Sequence, residues 1–218
     1  MTKNFQWLLF AVISIGYLGL LVFFALETVP AVLFDEFVYS SAALHNPASV
    51  PTASYLYTWV YSLASIFDAP HHYLVGKLLN IVFLVIQGIA IYLLARLVLS
   101  RRVSAYISLA LSTFSMSAWV YVFMPEVMFS SIFLLGLYFL VTWLYEERFI
   151  NWRLIVSIFL FGLTATVKVH MLFLLPALMF TVFWGTYLRS RKVSSVSVVG
   201  ALFASIGVIL VKTVVGFV

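Results

Sequence analysis

Residues 7–26 read WLLFAVISIGYLGLLVFFAL, an unbroken apolar run without a charged side chain. An α-helix needs about 20 mostly apolar residues to cross the hydrocarbon core of a bilayer, and this run has that length. It is longer than the apolar core of a secretory signal peptide, which usually has about 7–15 residues, and no small-x-small cleavage pattern closes it. The run therefore predicts an uncleaved first membrane span.

The composition of the whole chain is that of a membrane protein. Of its 218 residues, 65% are hydrophobic and only 9% are charged, whereas soluble domains carry about 25% charged residues. Further apolar runs predict spans at 78–95, 103–124, 127–145, 154–167, 171–188 and 193–211. The sequence thus predicts an all-α polytopic bundle of about seven transmembrane helices. We expect it to form a single membrane domain over residues 1–218.

One shorter apolar segment, 54–67, is interpreted as a helix that lies in the membrane interface. Leu56, Val60, Leu63 and Phe67 recur at helical spacing, and small polar side chains occupy another face. This pattern is typical of an amphipathic interfacial helix. A span at this point is the alternative, but it would move every later loop to the opposite side of the membrane, and the positions of the basic residues argue against that.

The basic residues predict a cytoplasmic N-terminus, because cytoplasmic loops are enriched in Lys and Arg. With about seven spans, the basic residues expected to face the cytoplasm are Lys3, Arg96, Arg101, Arg102, Arg148, Arg153, Arg189, Arg191 and Lys192. Only Lys77, Lys168 and Lys212 then lie outside. We expect an integral multi-pass protein of the plasma (inner) membrane, surrounded by membrane lipids, whose active face is non-cytoplasmic.

Several kinds of site are disfavoured by composition. The net charge is +5, but the basic residues form small clusters between apolar runs, so nucleic-acid binding is not indicated. Cysteine is absent, which excludes disulfides, cysteine nucleophiles and thiolate metal sites. The adjacent His71 and His72 would point about 100° apart on a helix and would rarely bind one ion. We therefore expect no cofactor, and a divalent metal ion stays an open alternative that the sequence does not support.

The first outer loop, about residues 27–72, contains the sequence LFDEFVY at 33–39. Large apolar residues flank the adjacent acids Asp35 and Glu36, so these acids should lie at the membrane surface. Desolvation there raises the proton affinity of a carboxylate, which suits a general base that accepts a proton from a hydroxyl. Alternatively, Asp35 caps a short interfacial helix and Glu36 stabilises its first turn. The two roles are compatible.

Other candidate residues lie on the same predicted side of the membrane. Glu126 is at the outer start of the fourth span, where an acid also stabilises the helix dipole. Lys168 and His170 lie at the break between the fifth and sixth spans, and Lys77 lies close to His72 at the outer end of the second span. An outer lysine can extend to the interface or bind an anion such as phosphate.

These motifs, taken in order, resemble those of the GT-C glycosyltransferases that use polyprenyl-phosphate sugars, such as the protein O-mannosyltransferases and the aminoarabinose-transfer enzymes. The resemblance covers about residues 7–188. The matching features are Asp35-Glu36 with Tyr39 behind them, the second interfacial helix at 55–67, Lys77 at the start of the second span with Tyr92 and Arg96 at its inner end, Glu126, the stretch GLTATVK at 162–168, and Pro176 in the apolar run that follows.

The resemblance implies a membrane enzyme that transfers a sugar from a lipid-linked polyprenyl-phosphate donor, with inversion, to an acceptor hydroxyl on a glycan, lipid or protein. Asp35 would be the catalytic base, and Glu36 and Glu126 would shape the acceptor pocket. The residues expected to bind substrate are Lys77, Lys168, His170, Tyr39 and His72, with the two lysines as candidates for the donor phosphate.

The chain departs from the family pattern in two respects. The paired prolines common in the first loop are replaced by single residues, Pro47 and Pro51. Family members are also usually longer, with further spans and often an outer soluble domain. A fragment, a minimal enzyme and a non-catalytic relative are therefore open alternatives. The rival classes are a membrane binding or transport protein and a structural subunit of a membrane complex, although the midplane charges typical of transporters are not evident in the spans.

Overall fold

The computed structural model describes residues 3–27, 34–45, 55–66, 69–115, 121–122, 125–145, 151–190 and 195–216. The helices are α1 (Lys3–Glu27), α2 (Phe34–His45), α3 (Tyr55–Tyr61), α4 (Ala69–Ala95), α5 (Arg101–Ser115), α6 (Glu126–Leu144), α7 (Trp152–Val167), α8 (Leu175–Ser190) and α9 (Ser195–Gly216), with 3₁₀ turns at Ser62–Ile66 and Val169–Leu174. Within these ranges every regular element is helical, and the predicted all-α class is confirmed.

The described part of the chain contains 5 helical segments that are long and apolar enough to cross a membrane. They are Gln6–Glu27, His71–Ala95, Glu126–Leu144, His170–Leu188 and Val198–Val215. Of the other two predicted spans, one corresponds to the shorter apolar helix Trp152–Val167 and the other to α5, which is described as far as Ser115. The chain is therefore a polytopic helical membrane protein, and a helix is present at every predicted span.

Helix α4 begins earlier than the apolar pattern predicts. The sequence predicts a second span from Leu78 with Lys77 at its outer end, whereas the helix begins at Ala69. Pro70 lies in the first turn, where its fixed φ and missing N–H are tolerated. The polar residues that follow are helical because His72 and Lys77 are buried by other parts of the protein. Lys77 therefore lies about two turns inside α4 rather than at its end.

The chain forms two compact units. The first contains Met1–Ser49 and Thr58–Ser131, and the second contains Val50–Tyr57 and Ile132–Val218. Helices α3 and α6 contribute residues to both units. The single membrane domain expected from the sequence stays a prediction.

In the first unit, α1, α4 and the start of α6 share an apolar cluster. Leu21 and Ala25 of α1 pack with Ile81 and Leu84 of α4 and with Val127 of α6, and all of these side chains are buried. Lipid tails are as apolar as these residues, so burial from lipid contributes little to helix association. Close packing and hydrogen bonds must hold the helices together.

Hydrogen bonds from serine side chains link α4 to α5 and to α6 in this unit. Ser131 Oγ of α6 donates to the carbonyl oxygen of Phe83 at 2.6 Å, and Ser108 Oγ of α5 donates to the carbonyl oxygen of Gly88 at 2.5 Å. A Cβ at Gly88 would lie 3.1 Å from Ser112 Oγ. The small residue therefore allows α4 and α5 to approach closely.

In the second unit, α7 and α9 pack through glycines. Gly162 of α7 lies against Val211, and Gly207 of α9 lies against Ile158, so closely that a Cβ at either glycine would overlap its neighbour. Ile158 contacts Gly207, and Gly162, four residues later in α7, contacts Val211, four residues later in α9. The two helices therefore run parallel. This is the close approach of small residues that holds transmembrane helices together.

Helix α7 is bounded by a capping residue and a backbone break. The side chain of Asn151 accepts hydrogen bonds from the backbone N–H groups of Arg153 and Leu154, at 2.9 and 3.2 Å, so the helix begins before the apolar run that starts at Leu154. At the other end Lys168 is extended, with φ −141° and ψ 123°. The predicted break between the fifth and sixth spans is therefore confirmed.

Candidate functional site

Helix α2, which carries the predicted acids, packs against the 3₁₀ turn Ser62–Ile66 in the first unit and is joined to α4 by a hydrogen bond between two side chains. The hydroxyl oxygens of Ser40 and Tyr73 are 3.0 Å apart, and Ser40 is 3% exposed. Asp35 and Glu36 lie in the first turn of α2, with Glu36 one turn before Ser40. Their side chains lie outside the part of the chain that the structure describes. The backbone that carries them belongs to the same helix as Ser40 and to the first unit.

A buried polar stripe runs along α4 from the point where α2 docks. Tyr73, Lys77 and Asn80 are spaced four and three residues apart, which places them on one face of the helix. Lys77 is 4% exposed and Asn80 is 0% exposed. His72 is also buried, and its ring meets that of Tyr73 edge to face with centroids 5.7 Å apart. The N-terminal part of α4 thus directs a cation and several polar groups into the first unit.

Asn80 joins three segments of this unit. The phenol of Tyr61, in α3, donates a hydrogen bond to Asn80 Oδ1, and Asn80 Nδ2 donates to the carbonyl oxygen of Val122 at 2.8 Å. Tyr61 also stacks on Phe83, with an interplanar angle of 12°. Burial raises the pKa of the Tyr61 phenol well above its ordinary value. Tyr61 therefore remains a protonated donor to Asn80 throughout the neutral range.

Glu126 lies in the first turn of α6, shortly after the segment that Asn80 anchors. It is half-buried, and its Oε2 atom is shielded from solvent. The next residue, Val127, belongs to the apolar cluster with α1 and α4. The packing of Val127 therefore holds the first turn of α6, and with it Glu126, in the first unit.

The remaining candidates are divided between the units. Tyr39 lies in α2 of the first unit beside Ser40 and is half-buried. Lys168 and His170 belong to the second unit. Lys168 is partly exposed, and its backbone N–H donates to the carbonyl oxygen of Thr164 at 2.9 Å. His170 is exposed in the 3₁₀ turn that follows. The first unit thus contains Asp35, Glu36, Tyr39, His72, Lys77 and Glu126.

Among the residues that the structure describes, no group of three or more His, Asp or Glu side chains could hold a metal ion. The expectation that the protein uses no cofactor stays a prediction. Lys77 and Lys168 are the two lysines of the candidate set.

The structure adds residues that the sequence interpretation missed. Ser40, Tyr61, Tyr73 and Asn80 form the hydrogen bonds that position α2, α3 and the start of α6 around α4. Asn80 had a detectable signal, because a side-chain amide inside the apolar run 78–95 needs hydrogen-bond partners. Ser40 and Tyr73 had none, because their pairing joins segments that are 33 residues apart.

Comparison with known protein families gives a match over most of the chain. The family described as dolichyl-phosphate-mannose-protein mannosyltransferase matches residues 49–213, which is more than half of the chain. No curated protein and no solved structure matches the chain. The matched range contains Lys77, Glu126 and Lys168, whereas Asp35 and Glu36 precede it.

Proposed function

The chain belongs to the dolichyl-phosphate-mannose-protein mannosyltransferase family of GT-C membrane glycosyltransferases, and we propose that it transfers a sugar from a polyprenyl-phosphate donor to an acceptor hydroxyl at the non-cytoplasmic face. The polyprenyl tail of such a donor lies in the bilayer, so the sugar phosphate is presented at the membrane surface. A helical membrane protein can then act on it without a soluble nucleotide-binding domain. The acceptor is a glycan, lipid or protein that approaches from the aqueous side.

The proposed reaction is a single displacement at the anomeric carbon. The acceptor oxygen forms a bond to that carbon while the bond from the carbon to the phosphate oxygen breaks. Asp35 accepts the proton of the acceptor hydroxyl, and the bonding electrons leave with the polyprenyl phosphate. The configuration at the anomeric carbon is inverted because the acceptor attacks the face opposite to the leaving group. Glu36 and Glu126 orient the acceptor by accepting hydrogen bonds from it.

This proposal is supported most directly by the docking of α2 on α4 through Ser40 and Tyr73. Tyr73 and Lys77 are one turn apart on the same face of α4, and Asp35 lies in the first turn of the docked helix. A base on α2 and a cation on α4 would therefore lie on neighbouring helices. That arrangement suits a reaction in which a proton is removed on one side of the anomeric carbon and negative charge develops on the other.

Lys77 is the preferred partner for the donor phosphate. It is 4% exposed, so water would screen its charge weakly and its attraction to a phosphate would be strong. Lys168 is the alternative, with His170 beside it in the second unit. It is more accessible to water than Lys77, so its attraction to an anion would be more strongly screened.

The experiment that tests the proposal is a transfer assay with the purified chain in lipid vesicles. A radiolabelled mannosyl phosphate on a polyprenyl carrier serves as donor, and candidate hydroxyl acceptors are supplied outside the vesicles. Appearance of label in an acceptor, accompanied by release of polyprenyl phosphate, is the expected result. Binding of the donor without transfer to any acceptor would identify a non-catalytic relative and would contradict the proposal.

A further inference from the structure

A cavity of about 430 Å³ lies between α1, α4 and α5 in the first unit. Its wall includes Trp7 and Ser14 of α1, Tyr92 of α4 and Arg101 of α5. From Ser14 to Glu27, at the other end of α1, the helix rises roughly 20 Å. The cavity therefore lies toward the N-terminal end of α1, away from the end of the first unit where α2 docks.

The wall of the cavity is mainly apolar but contains buried hydroxyl groups. Ser112 is 7% exposed, and its Oγ has no hydrogen-bond partner among the described residues. The same is true of Ser14 Oγ. Ser108 on the same wall differs, because it donates to the carbonyl oxygen of Gly88. The Ser14 and Ser112 oxygens lie behind the surface of the wall, so the cavity offers an occupant mainly apolar contacts.

Arg101 supplies a positive charge at the mouth of the cavity. Its side chain is exposed, and its guanidinium carbon lies 5.0 Å from the centroid of the Trp7 ring. Within the described ranges no carboxylate pairs with Arg101. A planar guanidinium that is oriented by an aromatic ring is well suited to bind a phosphate group. Tryptophan is also typical of the level at which lipid head groups lie.

Exposed apolar residues show which medium the cavity borders. Val85 and Ile89 line it, and they are 40% and 52% exposed on the surface of α4. Because α4 is one of the helices long enough to span the membrane, these side chains face hydrocarbon. An occupant can therefore enter from the bilayer, which favours an amphiphile with an apolar chain over a water-soluble solute.

We propose that this cavity binds one acyl chain of an anionic membrane phospholipid, with the lipid phosphate on the Arg101 guanidinium. A methylene group is similar in size to a water molecule, which occupies about 30 Å³ in the liquid. The cavity volume of about 430 Å³ therefore holds roughly a dozen methylene groups. That is the scale of one acyl chain and is much smaller than a polyprenyl chain. The site is thus separate from the donor site proposed above and does not depend on transfer activity.

Native mass spectrometry of the detergent-purified protein tests the role of the charge. Phosphatidylglycerol, phosphatidylcholine and polyprenyl phosphate are added in turn to wild type, Arg101→Gln and Arg96→Gln. Arg96 is a matched control because it is exposed, donates to the carbonyl oxygen of Leu99 at 2.7 Å and does not line the cavity. Wild type and Arg96→Gln should retain one phosphatidylglycerol in preference to phosphatidylcholine. Arg101→Gln should bind it about tenfold more weakly.

Filling the cavity tests the role of its volume. Ala105 lines the wall and is 4% exposed, so Ala105→Leu should displace the lipid, as should Ser112→Leu. Equal phosphatidylglycerol binding by Arg101→Gln and wild type would overturn the proposal, and so would displacement of phosphatidylglycerol by polyprenyl phosphate. If the filled variants do not elute as folded protein, the comparison of Arg101→Gln with Arg96→Gln decides the question alone.

Discussion

The side-chain amide of Asn80 donates a hydrogen bond to the carbonyl oxygen of Val122 at 2.8 Å and accepts one from Tyr61. One side chain near the start of an apolar run therefore connects α3, α4 and the segment that precedes α6. These are the elements around which the candidate site is built, so the stability of the first unit and the geometry of the site depend on the same hydrogen bonds.

Asn80→Leu should lower the free energy of unfolding by about 2–4 kcal/mol, because it removes both hydrogen bonds from a buried position. Tyr61→Phe should cost less, since the bond from Asn80 to Val122 remains. Thermal unfolding in detergent, followed by tryptophan fluorescence, measures both. If Asn80→Leu unfolds at the wild-type temperature, the two bonds do not hold these segments together.

Stability should fall at alkaline pH through Tyr61. Burial raises the pKa of its phenol above the ordinary value of 10.0, so the folded state holds this proton more tightly than the unfolded state. The contribution is fully present below about pH 10 and is lost as the pH rises toward the folded-state pKa. Thermal unfolding of wild type should become steeply pH-dependent in that window.

Tyr61→Phe, which has no titrating group at this position, provides the control. It should have lower stability at neutral pH, because one hydrogen bond is lost, but a flatter decline above pH 10. Identical alkaline slopes for wild type and Tyr61→Phe would show that another group is responsible.

Gly162→Ala and Gly207→Ala should each destabilise the second unit by about 1–3 kcal/mol, because the added methyl group overpacks the contact between α7 and α9. Gly16 and Gly19 of α1 are matched controls, since a Cβ at either would meet nothing within 4 Å. Their alanine variants should be neutral or slightly stabilising in a helix. Thermal unfolding distinguishes the pairs, and equal midpoints for all four variants would contradict the packing described here.

Lys77→Met should lower kcat/KM for the polyprenyl-phosphate donor by roughly 10- to 100-fold. A loss of this size is expected when one or two hydrogen bonds to a charged group are removed. Methionine has a similar shape, so the packing of α4 should be retained. Lys168→Met is measured in parallel to test the alternative phosphate ligand, and Lys212→Met is the control. A loss in Lys168→Met with wild-type values in Lys77→Met would transfer the role to Lys168.

The helices were largely predictable because a bilayer imposes one strong rule, a run of about 20 apolar residues for each crossing. The break at Lys168 followed from the same rule, since residues 154–188 taken as one helix would be too long for a single span. The start of α4 was not predictable in this way. Its first residues include His71 and His72 and precede the apolar run, and the burial of His72 and Lys77 depends on tertiary contacts.

The candidate site was predictable only in part. Acids and cations on the predicted outer side could be identified residue by residue, since charged groups are rare in this chain. The contacts that organise them join residues far apart in sequence, such as Ser40 with Tyr73 and Asn80 with Val122. Neither pair follows from periodicity or composition, because each depends on how whole helices pack.

The assignment of Asp35 as the catalytic base is tested most directly by the transfer rate of Asp35→Asn in lipid vesicles. Glu27→Gln, an exposed acid at the end of α1, serves as the control. A general base contributes roughly 10²–10⁴-fold to the rate, so Asp35→Asn should lose turnover by that factor while donor binding and membrane insertion are retained. Turnover by Asp35→Asn equal to that of wild type and Glu27→Gln would contradict the mechanism.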